Sequence, residues 1–61
     1  MTYTIIFDWK HGYLDEIKVR GKKKLEKTLA EMIERDDFRY IGYTFKNEYH
    51  EDEYVDVLDI R

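Results

Sequence analysis

Tyr3, Ile5, Phe7 and Trp9 occupy every second position near the start of the chain, and all four are large and apolar. Successive side chains of a strand point to opposite faces, so this period of two predicts a strand over Tyr3 to Trp9 with one face buried. Lys10-His11-Gly12 supplies a glycine for a turn, after which Leu14 to Arg20 alternates Ile17 and Val19 against Glu16, Lys18 and Arg20. Together they predict a first hairpin. Gly21 breaks the alternation, and Leu25, Leu29, Met32 and Ile33 then follow the i, i+4, i+7, i+8 spacing of an amphipathic helix from Lys22 to Arg35. Ile41, Tyr43 and Phe45 restore a period of two over Phe38 to Lys46, as do Val55 and Val57 over Tyr54 to Ile60. The polar stretch Asn47 to Glu53 separates these two strands of a second hairpin.

The order strand, strand, helix, strand, strand predicts an α+β fold of ββαββ type, one helix packed on a four-stranded mixed sheet. A sheet ordered 2-1-4-3, with strands one and four parallel at its centre, accommodates the crossover. At the level of topology this resembles the β-grasp fold. With its opening Met1-Thr2-Tyr3 and the buried Tyr3-Ile5 pattern, the chain is similar in length and helix placement to the compact immunoglobulin-binding domains of streptococcal cell-surface proteins. The resemblance carries no binding residue over. The alternative arrangement is an antiparallel meander with the helix inserted between two hairpins. Either way residues 1–61 form one domain with a thin core, because a chain of this length buries only about 60% of the surface it exposes when unfolded.

Hydrophobic residues at 43%, with 16% aromatic, are too plentiful for a disordered chain even though 41% of residues are charged. Cysteine is absent, so neither a disulfide nor a thiolate zinc site supplements the core, and the default expectation is a cytoplasmic protein. No apolar run approaches the roughly 20 residues of a membrane span. With serine also missing, the usual nucleophile and base pairs of acyl transfer cannot be assembled, and the threonines of the strands serve β-propensity. His11 and His50 fall in predicted turns. The run His50-Glu51-Asp52-Glu53, near Glu48, matches neither a helical zinc-binding pair nor a calcium-binding loop. The expectation is therefore no enzymatic activity, no metal, no cofactor and no small-molecule substrate.

Two surfaces stand out. The predicted helix is charged against its own dipole: Lys22, Lys23 and Lys24 crowd its positive end, while Glu34, Asp36 and Asp37 sit at its negative end. Lys18, Arg20, Lys22, Lys23, Lys24 and Lys27 form the most basic stretch, suited to an anion, to a partner's carboxylates or to nucleic acid, with Tyr13 available to stack. The net charge of −3 argues against a dedicated nucleic-acid binder. If odd-numbered strand residues turn toward the helix, the opposite face of the sheet carries Ile6, Tyr40, Tyr54, Leu58 and Ile60 among its residues, and a contiguous apolar patch open to water marks an interface. The leading expectation is thus a small protein-interaction module of adaptor or inhibitor type, binding a protein partner or a second copy as a homodimer through that face or through the lysine-rich helix N-terminus. Nucleic-acid binding through Lys18 to Lys27 is the alternative.

Overall fold

Each run of alternating side chains becomes a strand: β1 (Thr2–Trp9), β2 (Leu14–Arg20), β3 (Phe38–Lys46) and β4 (Asp52–Asp59), with α1 (Lys22–Arg35) between the two hairpins. The computed structural model describes residues 1–60. The fold is α+β, one helix on a single four-stranded sheet, as the periodicities predict.

The strand order is β2-β1-β3-β4 and every neighbouring pair is antiparallel. This corrects the mixed 2-1-4-3 arrangement and departs from the parallel centre of a β-grasp sheet; the antiparallel pairing is that of the alternative. Composition explains which strand takes the centre. In β3 the formal charges are confined to Arg39 and Lys46 near its ends, whereas β4 carries Asp52, Glu53, Asp56 and Asp59. A central strand has neighbours on both sides, and carboxylates are better hydrated at an edge, so β3 pairs with β1 and β4 lies outside. Because β2 and β3 both run opposite to β1, they are parallel to each other, and α1 carries the chain from one to the other past β1.

The core lies between α1 and the odd-numbered face of β1. Ile5 and Ile41 are wholly buried, and Tyr3, Phe7, Val19, Leu25, Met32 and Phe38 complete the cluster. At one end Phe38 packs against Phe7 and Trp9 with ring centroids at 5.3 Å and 4.6 Å, and the Arg35 guanidinium covers both Trp9 and Phe38. At the other end Tyr3, Tyr43 and Phe45 form a second aromatic group.

Helix α1 starts at Gly21, whose φ of 90° lies in a region that suits glycine and whose N–H donates to the Met1 carbonyl at 2.9 Å. No side chain caps this end, and the first turn holds no acid. The far end closes on Asp36 in the left-handed conformation at φ 57°. There the acids are compensated: Asp36 pairs with Lys10 at 3.3 Å and Asp37 with Arg35 at 3.1 Å. The Lys10 N–H also donates to the Asp37 carbonyl, tying the β1–β2 turn to the helix end.

Two bulges shift the strand phases. Opposite Asp8 and Trp9, β3 fits Tyr40 and Phe38 and leaves Arg39 as the extra residue; opposite Ile41 and Gly42, β4 fits Leu58 and Asp56 and leaves Val57 as the extra one. The second bulge reverses the phase of the end of β4. Leu58 therefore pairs with buried Ile41 and packs against the core, so it stands on the helix side and not on the open face to which simple alternation assigns it.

Candidate interaction site

The sheet face turned away from α1 is built from four rows of cross-strand neighbours. From one end they are Arg20, Thr2, then Lys46 with Asp52; Lys18, Thr4, Thr44 and Tyr54; Glu16, Ile6, Gly42 and Asp56; and Leu14, Asp8, Tyr40 and Asp59. Basic residues occupy the first two rows, and the carboxylates other than Asp52 occupy the last two, where Ile6, Leu14 and Tyr40 also lie. Among the described residues there is one helix, and it lies on the other face. Leu14 is 64% exposed and Tyr54 72%, while Ile6 and Tyr40 are half-buried by their neighbours. Two shallow grooves cross this surface. One of about 340 Å³ runs past Thr4, Lys18, Thr44 and Lys46, and one of about 450 Å³ lies beside Ile6, Leu14 and Glu16.

Tyr40 is held flat by its own strand. It shares a face with Gly42 two residues on, and a Cβ at Gly42 would come within 2.8 Å of the ring carbon Cζ. The ring therefore occupies the space a side chain would fill, and its hydroxyl donates to Asp56 Oδ1 at 2.6 Å across the β3–β4 ladder. The glycine makes room for an aromatic platform beside Ile6, its partner on β1. A neighbouring ion pair fixes the lower edge: the Arg39 guanidinium donates to Asp8 Oδ2 at 3.0 Å, and the Asp8 side chain is 12% exposed. Periodicity passes over Gly42, Asp8 and Arg39. The Tyr-x-Gly spacing on one strand is the signal that locates the first of them.

Of the residues expected at this surface, Ile6, Tyr40 and Tyr54 share it. Leu58 lies on the core side, as described above. Ile60 follows the end of β4, exposed, with its N–H donating to the Arg39 carbonyl at 2.9 Å.

The basic residues divide between two layers. Lys18 and Arg20 stand on the helix-free face, opposite Thr4 and Thr2, whereas Lys22, Lys23, Lys24 and Lys27 are exposed on α1. They surround one corner without lining one surface. Among the described residues none of these six takes part in an ion pair, and Asp52 is held by Lys46 at 3.1 Å, not by the helix lysines. Tyr13 precedes the start of β2 while Lys22, Lys23, Lys24 and Lys27 follow its end, a separation of about 20 Å along the strand.

The helix lysines should cost stability. Lys23 lies in the first turn and faces Lys27 at i+4, so Lys23→Glu replaces an adverse dipole contact and a like-charge pair with favourable ones. Its expected effect is a gain of about 0.5–1.5 kcal/mol at low ionic strength, shrinking in about 1 M salt, measured by urea unfolding.

His11 and His50 lie in the β1–β2 and β3–β4 turns, at opposite ends of the sheet. Among the described residues no three His, Cys, Asp or Glu side chains come together in a metal-binding group. The acidic β3–β4 turn is instead organised by Asn47, whose side-chain oxygen accepts from the N–H groups of Tyr49 and Glu51. Comparison with protein families, with curated proteins and with solved structures finds no match to this chain.

Proposed function

We propose that the protein is a non-enzymatic interaction module that binds a protein partner through the helix-free face of its sheet. The observation that carries this reading is that Ile6, Leu14, Tyr40 and Tyr54 share a sheet face over which, among the described residues, no other element packs, with Ile6 and Tyr40 on strands whose other side is the core. Ile6 and Tyr40 are backed by the buried residues of β1 and β3, so little conformational freedom is lost when a partner covers them. Tyr40 and Tyr54 supply large contact area with hydroxyls that accept a wet rim. The gradient from Lys18, Arg20 and Lys46 to Glu16, Asp56 and Asp59 gives such a partner one preferred orientation.

A photo-crosslinking residue placed at Tyr54 is expected to trap the partner, and one at Glu31 on the exposed side of α1 is not. Ile6→Asp, which puts an unpaired carboxylate on that face, is expected to weaken the trapped interaction by about tenfold or more. Adducts formed from Glu31 alone, or binding indifferent to Ile6→Asp in a folded protein, would discard this surface.

A further inference from the structure

The two edges of the sheet are built differently. β4 is broken by the bulge at Val57 and bears four carboxylates with no basic residue, both of which discourage another strand from pairing there. β2 has no bulge, and its four charges, Asp15, Glu16, Lys18 and Arg20, are balanced in sign. Its seven residues pair with β1 from Thr2↔Arg20 to Asp8↔Leu14 without a register shift, and its outer side is uncovered. Ile17 faces the helix side, opposite wholly buried Ile5, yet remains 39% exposed because, among the described residues, no strand lies beyond the edge.

The sequence of β2 is complementary to itself. If a second β2 runs antiparallel alongside it, symmetric about Ile17, then Glu16 of each copy faces Lys18 of the other, and Ile17 meets Ile17. Leu14 meets Arg20, whose aliphatic stem can cover it. Neither Glu16 nor Lys18 belongs to an ion pair within the described residues of one chain. The same register sets Asp15 of one copy opposite Val19 of the other, close in sequence to the uncompensated lysines that begin α1. Such a two-fold contact keeps both helices on one side of a continuous eight-stranded sheet and leaves the helix-free faces open side by side.

We infer that β2 is a dimerisation edge, and that its occupant is the β2 strand of a second copy of this chain, paired antiparallel about Ile17.

Sedimentation equilibrium over about 1 µM to 1 mM tests this, with circular dichroism confirming the fold of each variant. The expected result is a monomer–dimer equilibrium. Glu16→Lys alone and Lys18→Glu alone each turn two attractive cross-strand contacts into two repulsive ones, and each should raise the dissociation constant by about tenfold or more. The double variant Glu16→Lys with Lys18→Glu restores opposite charges across the axis and should return the constant to within about threefold of the original. A monomer throughout the range overturns the inference, as does a dimer that both single reversals leave intact. A dimer lost on Ile6→Asp but insensitive to the reversals also overturns it, assigning the contact to the open sheet face. Protection of β2 amides that arises only on adding an extended peptide would overturn the choice of a second copy as occupant.

Discussion

Phe38→Ala is expected to lower the midpoint of thermal unfolding by about 15 °C or more. Phe38 is only 2% exposed and stands at the start of β3, where the chain leaves the helix and enters the centre of the sheet. Its ring touches Phe7 and Trp9 and lies under Arg35, so it joins β1, β3 and the end of α1. Truncating a buried phenylalanine to alanine costs about 3–5 kcal/mol, against a total of roughly 3–9 kcal/mol for a domain of this length. Differential scanning calorimetry decides the matter. Ile33→Ala on the same helix, where the side chain is about half exposed, is the control, and a change below about 1 kcal/mol is expected there. Equal losses in the two variants would mean that the aromatic cluster does not dominate the core.

Gly42→Ala is expected to destabilise the protein by about 1–3 kcal/mol, although alanine elsewhere in a strand is usually no worse than glycine. The cause is Tyr40, whose ring and hydroxyl fill the space the new methyl group needs. The added group also sits 3.0 Å from the Val55 carbonyl, so a double-mutant cycle is required to separate the two contacts. In a Tyr40→Ala background the penalty of Gly42→Ala should fall by at least about 1 kcal/mol, because only the Val55 contact remains. An unchanged penalty would show that the ring does not rest over Gly42. The same substitution should also weaken partner binding in the crosslinking assay, since it forces Tyr40 off the surface beside Ile6 and breaks its bond to Asp56.

Periodicity defined the local structure well because each element buries one face. The limits of α1, β2 and β3 coincide with those expected, and β4 begins two residues earlier than its apolar pattern suggests, at polar Asp52 and Glu53. Those two residues pair with Lys46 and Phe45, so backbone pairing and not side-chain burial extends the strand. Strand order was not legible in the same way: both arrangements turn Tyr3, Ile5 and Phe7 inward, and alternation cannot distinguish them. The distinguishing signal was the acid content of β4, which suits an edge. Leu58 was misplaced because a bulge is set by a partner strand, here through Ile41, and leaves no mark on a period-two pattern. Of the reversed helix charges, Asp36 and Asp37 acquire Lys10 and Arg35 as partners while, among the described residues, the helix lysines form no ion pair, and the Lys10 contact depends on where the β1–β2 turn comes to rest.

The strand first in sequence lies inside the sheet, and this governs how the molecule acquires its shape. β1 and β2 can meet within the first 20 residues, but Thr4 reaches Thr44 and Trp9 reaches Phe38 across intervals of 40 and 29 residues. The entropy of closing loops of that length opposes the pairing that buries Ile5 and Ile41, so folding should be slower than in a helical bundle of equal size. A hairpin of β1 and β2 alone would leave Tyr3, Phe7 and Trp9 without the β3 side chains, Tyr43 and Phe38, that pack against them.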